Sequence, residues 1–472
     1  MSVRSLIAFF ALACLSVPLF GADLAGSRPN IVFIMTDDQG YGEIARHGND
    51  IIRTPNLDRL HDMSLRFTDY HVSPTCSPTR ASLMSGRHEF KNGVTHTIFE
   101  RERLSLSTVT VAQVLQQSGY RTGIFGKWHL GDEEEYQPER RGFGEVFIHG
   151  CGGIGQTYPG SGGDAPNNEY FDPVILHNGV FKKTKGFCTD VFFAEATKWI
   201  DAQRKSGQPF FAYITPNAPH SPYHSPPDKL KLYRDNEKLT ENEKGFYGMI
   251  SNIDDNVGKL LAQLKEWDLD KNTLFIFTTD NGSALGWYYN AGMRGRKGSP
   301  FEGGTRVPMF VYWPGRLEPG EAKQLAAHID IYPTVAELAG ASIPDSVKLD
   351  GRSLLPIYRN KNADWADRFL FTHVGRWEKG KAGESKYRNC AVRTARFRLI
   401  NDKDLYDVLA DPGETVNVID KFPEEVAKMR AAYDAWWEEV LPLLVNENAV
   451  GPAQNPFKAR FWKQFFGTAY GL

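Results

Sequence analysis

Short apolar runs that each break off at a polar cluster restrict this chain more than any other feature. They are residues 30–35 (NIVFIM), 120–125, 209–214 (PFFAYI), 273–277 (TLFIF) and 307–313 (VPMFVYW). Continuous apolar runs of this length read as strands buried on both faces, the pattern of parallel sheets. Helical patterns lie between them. Residues 107–118 carry Val109, Val111, Ala112, Val114 and Leu115 and close at Gly119. Residues 189–202 open on Thr189 and Asp190, which suit a helix N-cap. Residues 245–267 align Met249, Ile253, Val257, Leu260 and Leu264 on one stripe. The alternation predicts an α/β fold, a large doubly wound mixed sheet flanked by helices. Ligands of such sheets bind beyond the carboxyl ends of the strands. Four of the runs deliver reactive side chains there: Asp37-Asp38, Lys127-Trp128-His129, His220, and Asp280-Asn281.

After about residue 350 the texture changes. Residues 390–400 (CAVRTARFRLI) alternate like one half-exposed strand, Asn401-Asp402-Lys403 turns, and Leu405-Tyr406-Asp407 returns. Residues 422–441 read as a helix stopped by Pro442, with Trp436-Trp437 as packing residues. The domain division is therefore 1–22 as a signal peptide, 23–350 as the α/β domain, and 351–472 as a smaller C-terminal antiparallel-sheet subdomain with a terminal helix. Arg4, the apolar stretch from Leu6 to Phe20 and the small residues Gly21-Ala22 form the signal-peptide pattern. That stretch is shorter than the ~20 residues of a membrane span. The expectation is an exported protein with no stable membrane span. Leu12-Ala13-Cys14 departs from a lipoprotein cleavage site at Ala11.

Lys and Arg number 55 and Asp and Glu 57, a net charge of −2, so no basic excess points to nucleic acid. Mean hydropathy of −0.41 excludes a multi-span membrane protein. Five cysteines are too few for a disulfide scaffold. Residues 150–163 (GCGGIGQTYPGSGG) contain neither a dinucleotide fingerprint nor a Walker sequence and read as a loop.

Asp37, Asp38, Asp280 and Asn281 are hard oxygen donors at two strand ends. Together they suit Ca²⁺, with Mg²⁺ second, over Zn²⁺. The decisive segment is Cys76-Ser77-Pro78-Thr79-Arg80, continuing to Gly86-Arg87. It resembles the C-x-P-x-R signature of the sulfatase family, formylglycine-dependent and of the alkaline-phosphatase-like superfamily. Gly126-Lys127-Trp128-His129-Leu130-Gly131, Thr279-Asp280-Asn281-Gly282, Gly303-Gly304-Thr305-Arg306-Val307-Pro308 and Asp411-Pro412-Gly413-Glu414 match in order, so the resemblance spans about residues 28–420.

The resemblance implies a secreted, calcium-dependent sulfuric ester hydrolase of the arylsulfatase-like class, acting on an aryl sulfate or a sulfated carbohydrate. Cys76 would be converted to formylglycine by a maturation enzyme and would also ligate the metal with Asp37, Asp38, Asp280 and Asn281. One hydroxyl of the aldehyde hydrate attacks sulfur, and the other expels sulfate as the aldehyde re-forms. Arg80 and Lys127 would hold hydrate and sulfate, His129 would act as base, His220 as acid, and Lys297 would assist it. His373 with Arg376-Trp377 is a candidate substrate contact. His88 and His96 read as structural. Pairing of Cys151 with Cys188 stays open. The alternatives are a phosphatase or phosphonate hydrolase of the same superfamily, or a non-catalytic binding protein on this scaffold.

Overall fold

Ten strands form one mixed sheet through the body of the computed structural model, which describes residues 23–156 and 163–467. The expected signal peptide, residues 1–22, lies outside the described residues. The centre of the sheet is five parallel strands in the order Thr273–Thr279, Asn30–Thr36, Phe210–Thr215, Arg121–Lys127, Glu145–His149. All seven residues of Asn30–Thr36 are buried. Alternate side chains serve opposite faces, as the pleat requires: Ile31, Phe33 and Met35 join one apolar cluster, Val32 and Ile34 the other. Helices Cys76–Ser85, Val111–Gln117 and Ile331–Ala339 cover the first face. Helices Pro55–Met63, Cys188–Ser206 and Glu241–Glu266 cover the second. This is the two-sided burial that the uninterrupted apolar runs demanded.

Four details differ from the sequence reading. Helix Glu241–Glu266 starts before residue 245, because Thr240 and Glu243 cap each other's backbone amides ahead of the apolar stripe. The run at 307–313 becomes Met309–Tyr312, antiparallel to Thr273–Thr279. The segment from Asp280 to Pro308 stays at the carboxyl edge, so the chain must run back. Strand Glu145–His149 had only four apolar or ring-bearing residues and gave no run long enough to read. Residues 390–400 are two strands, Cys390–Arg393 and Phe397–Ile400, turned by paired hydrogen bonds between Thr394 and Phe397.

Those two strands sit in a four-stranded antiparallel sheet with Leu370–His373 and Asp404–Asp407. The sheet is covered on both sides, and both middle strands are buried throughout. Cys390, Val392, Phe397 and Leu399 pack on helix Pro423–Val440 through Met429, Tyr433, Trp436 and Trp437. Ala391, Ile400 and Tyr406 turn toward Phe301 of the main body. Cys188 is a free thiol buried with Phe187, Phe192 and Phe193.

Charge also joins the subdomain to the body. Arg398, fully buried, donates to Glu302 Oε1 at 2.6 Å and lies 3.2 Å from Glu414. Arg393 bridges Glu302 and Asp69. Burial alone would raise the Glu302 pKa, but Arg398, His71 and Arg393 hold it well below the usual range. Arg398→Met leaves the buried Glu414 without its cation and Glu302 with the more distant Arg393. It is expected to destabilise the protein by about 3–5 kcal/mol, read as a lower midpoint in urea unfolding.

Candidate active site

Four parallel strands end at one place. Asn30–Thr36 hands on to Asp37 and Asp38, Thr273–Thr279 to Asp280 and Asn281, Arg121–Lys127 to His129, and Phe210–Thr215 to the turn bearing His220. Two of these turns are sharp. Asp38 and His129 adopt left-handed backbone conformations, with φ of 70° and 58°. Such conformations cost ~1–3 kcal/mol in non-glycine residues and mark places where surrounding structure dictates side-chain direction. Gly126 lets the strands approach, since a Cβ there would lie 2.0 Å from the Thr215 carbonyl oxygen.

Cys76 is the first residue of helix Cys76–Ser85, which is buried along all ten residues. Pro78 falls in the first turn, where a missing N–H costs nothing. The helix therefore points its positive end at residue 76. Burial pushes the Cys76 thiol up, and Lys127 and Lys297 only partly offset this. A plain thiol here is protonated at neutral pH and a poor nucleophile.

Around Cys76 stand three ion pairs, two fully buried and one, at Lys297, half-buried. Lys127 Nζ donates to Asp37 Oδ2 at 2.6 Å. Lys297 Nζ donates to Asp38 at 2.6 Å (Oδ1) and 2.8 Å (Oδ2). Arg80 donates to Asp280 Oδ2 at 2.8 Å, to the Lys127 carbonyl at 2.9 Å and to Thr215 Oγ1 at 2.5 Å. Burial would raise the Asp38 pKa, but Lys297, His220 and Lys127 hold it well below the carboxylate range. Asp280 goes the other way, to about 6, through burial and repulsion by Asp37.

The carboxylates fit a hard cation. Asp37, Asp38 and Cys76 each place a ligand atom within 4.8 Å of the others. Asp280 Oδ1 accepts the Asp38 amide at 3.1 Å, and Asn281 Nδ2 donates to Asp38 Oδ1 at 2.9 Å, so both belong to the same cluster. Among the described residues Asp37 Oδ1 and Asn281 Oδ1 are buried acceptors with no hydrogen-bond partner. Orphaned acceptors in an oxygen-rich cluster are what a hard divalent ion satisfies.

The two histidines hold opposite tautomers. A carbonyl can only accept, so His129 carries its proton on Nε2, which donates to the Thr97 carbonyl at 3.0 Å. Its Nδ1 is buried without a partner among the described residues and has a free lone pair. Burial, Lys127 and Arg80 keep the ring's pKa well below the ordinary value. His220 donates from Nδ1 to the Ser221 carbonyl at 2.8 Å and turns Nε2 toward Asp38 Oδ2 at 3.7 Å. Burial lowers its pKa to about 4 against the opposing pull of Asp38.

Asp37, Asp38, Cys76, Arg80, Lys127, His129, His220, Asp280, Asn281 and Lys297 lie together at this edge. Arg80 is 1% exposed, and its guanidinium is taken up by Asp280, Thr215 and the Lys127 carbonyl. His373 does not reach the site. It is buried, donates to the Ser385 carbonyl and stacks on Trp437, so it packs the subdomain. Arg376 does reach across, donating to Thr97 Oγ1 at 3.1 Å. His88 stacks edge-on against Trp436, in keeping with a structural role. Three neighbours were missed. Thr97 sets the His129 tautomer, Thr215 anchors Arg80, and His149 ends the unread strand Glu145–His149, buried within the field of Lys127, Arg80 and His220. Only the last carried a sequence signal, a histidine closing a short apolar stretch.

The sulfatase family model matches residues 29–341, two-thirds of the chain. The chain belongs to the sulfatase family. The model of the C-terminal region of N-sulphoglucosamine sulphohydrolase matches residues 296–434. Arylsulfatase A of Homo sapiens is 31% identical over 449 residues, 84% of this chain and 85% of the relative. N-acetylgalactosamine-6-sulfatase of Canis lupus familiaris is 32% identical over 379 residues, 73% of this chain and 69% of the relative. The crystal structure of Ps i-CgsB in complex with k-i-k-neocarrahexaose superposes with a TM-score of 0.77 at 27% identity, covering 92% of this chain and 97% of that one. This sulfatase is a sulfuric ester hydrolase with the α/β fold of its relatives. Among its described residues no helix is long and apolar enough to cross a membrane.

Proposed function

We propose that this sulfatase hydrolyses the sulfate monoester of a saccharide, with formylglycine at position 76 and Ca²⁺ held by Asp37, Asp38, Asp280 and Asn281. One observation carries the reading: Cys76 starts a buried helix inside a ring of three carboxylates, three cations and two histidines of opposite tautomer. A neutral thiol suits none of that machinery, whereas a residue converted to an aldehyde does. The saccharide substrate is supported by the N-acetylgalactosamine-6-sulfatase relative and by the oligosaccharide bound to the related crystal structure. Export follows from the Arg4-led apolar leader, and conversion of Cys76 calls for a maturation enzyme that reads Cys76-x-Pro78-x-Arg80.

The formylglycine hydrate supplies a hydroxyl nucleophile, and Ca²⁺ supplies polarisation of the sulfuryl oxygens and a lower hydroxyl pKa. The chain's own residues do the rest. Lys127 and Lys297, each already paired with one carboxylate, hold the ester's anionic oxygens by their remaining N–H groups. Arg80 fixes Asp280 and the carboxyl end of strand Arg121–Lys127, and so sets the floor of the site. His129 takes the nucleophile's proton at Nδ1, the only ring atom left free by Thr97. His220 gives a proton from Nε2 to the leaving oxygen. It is neutral in the free site, so Nε2 takes up a proton from solvent as the anionic ester binds, the ester's charge favouring the imidazolium.

Peptide mass spectrometry of the active enzyme tests the reading and is expected to find formylglycine at position 76; fully active protein with only cysteine there would refute it. The metal is tested separately. Exhaustive chelation is expected to remove activity, and Ca²⁺ to restore it better than Zn²⁺. Asp280→Asn is expected to weaken Ca²⁺ binding by at least about tenfold with little change in the metal-free melting temperature, since one charge is lost at constant volume. Full activity in metal-free protein would remove the cluster from the mechanism.

A further inference from the structure

The far edge of the large sheet has a charge pattern that the reaction does not use. Beyond Glu447 the chain carries Lys458, Arg460 and Lys463 and no acidic residue, in a protein whose net charge is −2. Helix Pro456–Phe466 brings these cations to the outer hairpin of strands Val174–His177 and Val180–Lys183, which adds Lys182 and Lys183. The docking is specific. Phe457 and Phe461 pack edge-on against Phe181 at 5.0 and 5.4 Å. The Gln464 amide accepts from the Phe181 N–H at 2.7 Å and donates to its carbonyl at 2.8 Å, pairing the free edge of the strand as a neighbouring strand would. A Cβ on Gly179 would meet Arg460 Nη1 at 4.0 Å, so the guanidinium lies over the hairpin turn.

The ion pairs on this edge are Glu145–His177, Asp172–Lys185 and Glu195–Lys198. Among the described residues Lys183, Arg460 and Lys463 make none. Beside them Phe465 and Phe466 are 37% and 58% exposed, with Lys183 Nζ 5.9 Å from the Phe465 ring centre. Uncompensated cations spaced around exposed aromatic faces attract an anionic polymer with stackable rings. The edge is also joined to the active site. Phe457 lies against Gly150 and Lys458 against Gly163. Asp164 accepts the amides of Gly150 and Gly155 at 2.9 and 3.0 Å, and Gln156 comes within 3.5 Å of His220.

We propose that the hairpin and helix Pro456–Phe466 form a binding surface for a polyanionic polysaccharide, the polymeric form of the substrate, held while one of its sulfate esters occupies the site at Cys76. This rests on the saccharide reading of the active site. An anionic membrane is the other partner such chemistry suggests. It fits less well, because Phe457 and Phe461 are spent on the hairpin, leaving two exposed phenylalanines where an interfacial helix needs a whole apolar face.

The test compares the full-length protein with its Lys183→Ala/Arg460→Ala/Lys463→Ala variant. Both are titrated with polymeric chondroitin sulfate at two salt concentrations, with thermal unfolding as the check on fold. The variant is expected to bind the polymer at least about tenfold more weakly, with a shallower dependence on salt, because fewer counterions are released. Lys183→Arg/Lys463→Arg keeps the charges and is expected to bind like the wild type. Equal affinity in the alanine variant overturns the proposal, as does equal loss in the arginine variant. Binding to phosphatidylglycerol vesicles that falls in the alanine variant while polymer binding stays also overturns it. Turnover of a monosaccharide sulfate, measured alongside, tests the site by itself. Polymer binding without such turnover would remove the substrate reading and leave the surface as measured.

Discussion

Cys76→Ala is expected to lower kcat by a factor on the order of 10⁴ or more, because it removes the atom on which the nucleophile is built. The fold is expected to survive. Residue 76 is not the helix cap, which is Thr75, and it belongs to none of the apolar clusters of the core. Replacing a thiol by a methyl group at a helix start costs ~1 kcal/mol or less. The thermal midpoint should therefore move by a few degrees at most. Cys76→Ser makes the comparison sharper. Serine returns a hydroxyl to the position but no second hydroxyl on the same carbon, so it can take part in attack and has no way to expel sulfate by re-forming an aldehyde. A serine variant is expected to release no more than about one equivalent of alcohol per active site and no free sulfate, because the sulfuryl group stays on Ser Oγ, seen as a burst of alcohol without turnover. Multiple turnovers by the alanine variant at the wild-type rate would end the nucleophile assignment.

The sheet was legible because its central strands are buried on both faces. That burial writes continuous apolar runs such as 30–35 and 273–277 into the sequence. Where burial was partial the signal failed: Val180–Lys183 has one buried residue in four, and the hairpin went unread. Direction was harder than position. Nothing in VPMFVYW distinguishes a parallel from an antiparallel strand, since the information lies in the connection from Asp280 to Pro308. The antiparallel subdomain was legible, but residues 390–400 read as one strand for a different reason. Arg393, Arg396 and Arg398 look like the solvated residues of one half-exposed strand, yet Arg393 and Arg398 are buried against Glu302 from a segment some 90 residues away in sequence, the separations being 91 and 96. A charge paired across such a distance cannot be told from a solvated one by local pattern. The active site was legible for the opposite reason. Its side chains follow strand ends directly, so topology alone brings Asp37, Lys127, His220 and Asp280 to one edge. The residues that tune them were not legible, because Thr97 acts through its backbone carbonyl, which any residue would offer.

His220→Ala and His129→Ala are expected to differ in how their cost depends on the leaving group. His220 presents Nε2 beside Asp38 and is assigned to the leaving oxygen. A phenol with strongly electron-withdrawing substituents departs as its anion with little help, while a sugar alkoxide does not. His220→Ala is therefore expected to lower kcat/KM on a sugar sulfate by about 10²–10⁴ and on an activated aryl sulfate by less than about tenfold. His129, held by Thr97 with Nδ1 free, acts on the nucleophile, which both substrates share. His129→Ala is expected to cost similar factors, about 10²–10³, on the two. The comparison is made within each variant, as the ratio of its two kcat/KM losses, so an overall change in metal affinity or folding divides out. Thr97 offers a check from the other side. Thr97→Gly leaves the carbonyl in place and is expected to spare the His129 function, which a role for the hydroxyl would not allow. Equal dependence on leaving-group acidity in the two histidine variants would dissolve the division of labour between them. A strong dependence in His129→Ala with none in His220→Ala would reverse it, since the tautomers seen here would then belong to the opposite proton transfers.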